Sequence, residues 1–201
     1  MTFTTRFAAL AAPLLMLFYG IMRYVDGRDG DRGNGPAWDI GHTAFFLAFV
    51  LFVVLAVRLH KVVPVAARWQ RGLRDGALVA ALVGAAGFLW VTLTDLFPAI
   101  PTGLPDLAMV GLPVLFQLGM LTLLGQLVAA RWLPVWSPLL MLFGFVLIAV
   151  NLDLLPFASV VILCGLVPLA TGSPRPAGPS RAHRTPHSPV RSGRRSPRRT
   201  P

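Results

Sequence analysis

Five long stretches of this chain carry almost no charge: about Phe7–Val25, Ile40–Leu59, Gly76–Leu96, Leu107–Ala130 and Leu133–Ala170. Arg23, Arg58, Asp95 and Asp153 are the only Asp, Lys or Arg residues in them. A helix needs about 20 apolar residues to cross the roughly 30 Å hydrocarbon core of a bilayer. The first four stretches fit one crossing each. The fifth has 38 residues and would be about 57 Å long as one helix at 1.5 Å per residue. It has to break, and Asn151-Leu152-Asp153-Leu154-Leu155-Pro156 is the place. Either two crossing helices result, or one helix and a re-entrant segment.

The composition agrees with a lipid-embedded chain, since only 13% of residues are charged against roughly 25% in soluble domains. The expected fold is all-α: a polytopic transmembrane bundle of about six helices, arranged as three helical hairpins, over residues 1–171. The helices are expected at about 7–25, 40–59, 76–96, 107–130, 133–152 and 154–170. No small-x-small cleavage site follows the apolar centre of the first stretch, which reads as an uncleaved anchor helix. Residues 172–201 are rich in Arg, Pro and Ser. They have nothing apolar to bury, and are expected to form a disordered cytoplasmic tail.

Charge sets the expected orientation. Arg58, Lys61, Arg68, Arg71 and Arg74 cluster between the second and third helices, Arg131 lies between the fourth and fifth, and eight Arg follow Ala170. Basic loops stay in the cytoplasm. Both termini are therefore expected inside the inner (plasma) membrane of a bacterium, with the Asp26–Asp39 loop outside. The bias toward Ala, Gly, Pro and Arg, with no Glu at all, reads as a GC-rich coding source. Trp69, Trp132 and Trp136 fall at the inner boundary and Trp38 at the outer one, as an aromatic belt requires.

Short polar residues stand before several apolar runs. Asp39, Asp75, Asp106, Ser137 and Asp153 are expected to cap helices by accepting free N–H groups. Ala77, Ala81 and Ala85, with Ala80 and Gly84, make a small-residue face on the third helix. Such a face suits close internal packing, with a homo-oligomer seam as the alternative. Asp95-Leu96-Phe97-Pro98 and Asp153-Leu154-Leu155-Pro156 each follow a helix with a Gly-Phe pair, which is weak support for a duplicated hairpin.

Chemistry has few candidate residues. The absence of Glu excludes HExxH zinc helices. Cys164 is the sole cysteine, so Cys-ligated metal clusters are excluded, and a buried inert thiol is expected. His42 and His60 lie near opposite ends of one helix and cannot share a haem, and no cofactor is expected. Gln117, four residues after Pro113, is the clear mid-membrane polar group. It is expected to bond a neighbouring helix or backbone freed by the proline. No carboxylate lies at mid-depth, which disfavours proton-coupled transport.

Polar residues instead gather at the outer boundary: Asp39, His42, Asp95, Asn151 and Asp153. Converging carboxylates and an imidazole would suit a cation or a shared proton. Arg191, Arg194, Arg195, Arg198 and Arg199 of the tail suit anionic lipid headgroups. Concentration of the basic residues in one tail and one loop argues against nucleic acid as a partner. Nothing in the sequence names a ligand or reaction. The leading expectation is a non-enzymatic protein for partner binding, sensing or envelope maintenance. A small oligomeric transporter or channel is the alternative, and a membrane enzyme using the outer Asp/His cluster comes third.

Overall fold

A computed structural model describes residues 1–172 apart from 30–32, 34, 66, 98 and 102. The tail expected to be disordered, with Arg191, Arg194, Arg195, Arg198 and Arg199, lies outside the described residues. Within them the chain is all-helical: α1 (Phe3–Asp26), α2 (Gly35–Val62), α3 (Arg68–Leu96), α4 (Asp106–Ala129), α5 (Trp136–Val150) and α6 (Leu155–Thr171). Short 3₁₀ turns occupy Gly27–Asp29 and Leu152–Leu154. Five helices, with the last counted from Leu152, are long and apolar enough to cross a membrane, and α5 is a shorter apolar helix. The chain is a membrane-embedded helix bundle.

The 38-residue stretch breaks at the expected place, and an antiparallel hairpin results. Asn151 leaves the helical conformation, and its side-chain oxygen accepts from the Asp153 N–H at 2.8 Å. Ser137, at the start of α5, is fully buried and donates its hydroxyl to the Gly165 carbonyl near the end of α6.

Neighbours in sequence are neighbours in space. α1 packs on α2 and α6, α2 on α3, α3 on α4, and α5 on α6, while contact between α4 and α5 is sparse. The helices alternate in direction. One end of the bundle carries Asp26, Asp95 and Asp153, and is called the acidic end. The other carries Lys61, Arg68, Arg71, Arg74 and Arg131, and is called the basic end.

Lipid tails are as apolar as leucine, so packing rather than burial from water holds such helices together. Two devices supply it. An aromatic column fills the interior: Phe49 stacks on Phe88 with ring centroids 4.0 Å apart, and Phe116 meets both Phe52 at 5.6 Å and Phe145 at 5.5 Å. Each such pair contributes roughly 0.5–1.5 kcal/mol beyond its buried area. The second device is close approach of α3 and α4. Ala77, Ala81 and Ala85 are buried, and Ala77 and Ala81 stand against Gly119. A methyl group on Gly119 would lie 2.5 Å from the Ala77 carbonyl oxygen and 2.8 Å from the Ala81 Cα. The small-residue face of α3 is thus used within the chain.

Several expectations change. None of the five expected caps forms as such. Asp39 and Asp75 lie inside α2 and α3, because those helices begin before the apolar residues do. Polar first turns outside the hydrocarbon are as helical as the rest. Asp106 is the first residue of α4, with Pro105 at the cap position. Asp153 lies in a 3₁₀ turn that Asn151 caps, and Ser137 donates across the hairpin. Asp75 instead accepts from Arg74 at 3.0 Å and lies 2.7 Å from His60 Nε2, so α2 and α3 are tied at the basic end. Cys164 is exposed on the outside of α6 rather than buried. α6 is apolar on every side, so hydropathy does not separate its lipid face from its core face.

Candidate functional site

The acidic end gathers polar side chains from the ends of several helices. His42, about two turns into α2, is 3% exposed. Its Nδ1 lies 2.9 Å from the Trp38 carbonyl oxygen, one turn earlier on the same helix. A carbonyl only accepts, so Nδ1 carries a proton. In the neutral ring Nε2 is then the acceptor. Nε2 lies 3.3 Å from the Tyr19 hydroxyl of α1 and 3.6 Å from Oδ2 of Asp95, near the end of α3. One imidazole therefore stands where three helices meet.

Aromatic side chains enclose that ring. The Trp38 ring lies over it with centroids 3.8 Å apart, and Tyr19 meets it edge-on at 5.0 Å. Gly41 lets α1 approach here, since a methyl group on it would stand 3.0 Å from the Met22 Cβ. The Trp38 indole N–H donates to the Asp95 backbone carbonyl at 3.3 Å. Trp38 thus binds α3 as well as sitting at the bundle's end.

A second branch leads through α1. Arg23 follows Tyr19 by one turn and interacts with it. Its Nε lies 3.9 Å from Asp153 in the turn before α6. Asp26, 6% exposed, closes α1 and accepts from the Gly33 N–H at 3.1 Å. Pro156 packs at Gly20, where a Cβ would be 2.9 Å from the proline ring. The turn between α5 and α6 is therefore held against α1.

Of the five residues expected to cluster, the structure brings His42 and Asp95 together, and links Asp153 to them only through Arg23 and Tyr19. Asp39 is exposed at the helix surface, and its backbone carbonyl accepts from Thr43 at 2.8 Å. Asn151 caps its own turn. Tyr19, Arg23 and Trp38 are the members that sequence reasoning missed. A tyrosine and an arginine four residues apart, near the end of an apolar helix, were a usable signal.

Among the described residues no group of three His, Cys, Asp or Glu side chains comes together to hold a metal ion. The arrangement is one imidazole with one carboxylate and one phenol, which suits proton exchange better than cation binding. Gln117 stands apart on α4. Its amide nitrogen and oxygen are buried, and neither has a hydrogen-bond partner among the described residues, so the expected bond to a neighbouring helix or freed backbone is not made. Comparison with protein-family models, with curated proteins and with solved structures finds no match to this chain.

Proposed function

We propose that this chain is a non-enzymatic membrane sensor that responds to protonation at its acidic end, with His42 as the responding group. The supporting observation is the setting of that imidazole: nearly fully buried, tied by Nδ1 to its own helix, and presenting Nε2 to Tyr19 of α1 and Asp95 of α3. Neutral, Nε2 accepts a hydrogen bond from the Tyr19 hydroxyl. Protonated, Nε2–H has to donate, and the Asp95 carboxylate is the acceptor of opposite charge within reach. Acidification thus moves the ring's preference from α1 toward α3. Histidine is the side chain that ordinarily changes charge between about pH 5 and 8. The other charged residues described at this end are Arg23 and Asp26 of α1, Arg28 and Asp29 in the turn after it, Asp39 on the exposed side of α2, Asp106 at the start of α4, and Asp153 beside Arg23.

The Trp38 ring over His42 provides the readout, because a protonated imidazole quenches a neighbouring indole. Emission assigned to Trp38, as the part lost in Trp38→Phe, is expected to fall between about pH 8 and about pH 5.5. His60→Gln should keep this response and His42→Gln should abolish it. An unchanged acid response in His42→Gln would refute the proposal. The channel alternative has no comparable support, since Phe49, Phe52 and Phe116 fill the bundle interior.

We place the acidic end outside the bacterial inner membrane and the basic end in the cytoplasm, on the positive-inside rule. Reporter fusions are expected to read periplasmic at Gly35 and cytoplasmic at Gln70 and Gly172. A periplasmic signal at Gly172 would leave an odd number of crossings and contradict the topology.

A further inference from the structure

At the basic end, a groove of about 570 Å³ opens between the start of α3 and the end of α4. Its walls are largely apolar, with Val65, Trp69, Leu73 and Ala129, and Gly125 leaves room at its base. Gln126 also lines it. Both polar atoms of the Gln126 amide are buried, and neither has a partner among the described residues. A buried amide left unpaired is destabilising, so the groove suits an occupant offering both a hydrogen-bond acceptor and a donor.

The chain that flanks the groove is strongly cationic. Lys61, Arg68, Arg71, Arg74 and Arg131 surround it in sequence, and the one carboxylate at this end, Asp75, is already engaged by His60 and Arg74. Arg131 directly follows the groove wall and has φ 61°, the left-handed conformation that glycine normally takes after a helix. The Trp132 N–H closes that helix end on the Leu127 carbonyl at 2.9 Å. An arginine therefore comes directly after the groove wall in a backbone position that favours glycine. Trp69 and Trp132 are 68% and 48% exposed, which puts the groove at the depth of lipid headgroups.

We propose that this groove binds an anionic phospholipid whose headgroup carries hydroxyl groups, of the phosphatidylglycerol type. An acyl chain lies along Val65 and Leu73. The Gln126 amide N–H donates to a glycerol or ester oxygen, and its carbonyl accepts from a headgroup hydroxyl. Arg131 and the arginines at the start of α3 meet the phosphate. Charge complementarity selects an anionic lipid over a zwitterionic one, and the apolar wall selects a lipid over free phosphate.

The test is the apparent melting midpoint of the full-length protein in neutral detergent, titrated separately with phosphatidylglycerol, phosphatidylcholine and glycerol phosphate. Only phosphatidylglycerol is expected to raise it saturably. Gly125→Leu fills the groove, and the Cβ at Gly125 meets nothing within 4 Å, so the variant should melt no lower than the natural chain without lipid. It should need about tenfold more phosphatidylglycerol for the same shift. Arg131→Gly relieves the left-handed strain while removing the charge, and should likewise be stable and less responsive. Gln126→Leu supplies the same comparison through the amide alone. All variants keep the arginine-rich tail, so binding through the tail is common to them. A natural response to phosphatidylglycerol in all three variants would overturn the proposal. So would an equal shift with phosphatidylcholine or with glycerol phosphate.

Discussion

Gly119→Val is expected to cost about 3 kcal/mol or more and to separate α3 from α4. The reason is geometric. The atoms that a Cβ at this position would meet are the Ala77 carbonyl oxygen and the Ala81 backbone nitrogen and Cα. Backbone atoms of a hydrogen-bonded helix cannot rotate aside as a side chain would, so the whole of α3 has to move. That would also shift Phe88 from its stack on Phe49 and loosen the aromatic column. Gly125→Ala, on the same helix, is the control. Its added methyl group meets nothing within 4 Å, and the better helix former should be neutral or stabilising by up to about 1 kcal/mol. Unfolding in mixed micelles with increasing denaturing detergent measures both. Similar stability for Gly119→Val and the natural chain would mean that the two helices do not approach this closely.

The second large effect is expected at the acidic end. His42→Leu should destabilise the bundle by about 2 kcal/mol, because the Tyr19 hydroxyl loses its acceptor and the Trp38 carbonyl loses the Nδ1–H donor. Tyr19→Phe should cost about 1 kcal/mol alone. In the His42→Leu background it should cost almost nothing, since the bond is already gone. Full additivity of the two substitutions would show that the 3.3 Å contact contributes nothing to stability.

Much of the fold was legible because a bilayer demands long apolar runs, and the position of each run marks its helix. The break at Asn151–Pro156 was legible for the same reason, as no single helix of that length fits. The caps failed for a complementary reason. Hydropathy reports where the hydrocarbon begins and not where the helix begins, so α3 starts seven residues before Asp75. Facing was illegible wherever a helix is apolar all round. Cys164 reads like its neighbours yet lies outside, and Ser137 reads as a cap yet bonds across the hairpin. At the candidate site, topology alone put His42 and Asp95 at one depth. Asp39, three residues from His42, shares its helix but is exposed, because α1 and α3 close over only the His42 side. Tyr19 and Arg23 were hidden inside an apolar run, where a single aromatic and a terminal arginine look like ordinary membrane-boundary residues.

The most direct measurement is a double-mutant cycle between His42 and Asp95, using His42→Gln and Asp95→Asn, run at about pH 8 and about pH 5.5. The imidazolium attracts the carboxylate and the neutral ring does not. The coupling energy should therefore be small at the higher pH and larger by about 1 kcal/mol or more at the lower, as charge-assisted bonds exceed neutral ones by that order. Equal coupling at both pH values, or stronger coupling in the alkaline condition, would contradict a protonation-driven link between α2 and α3.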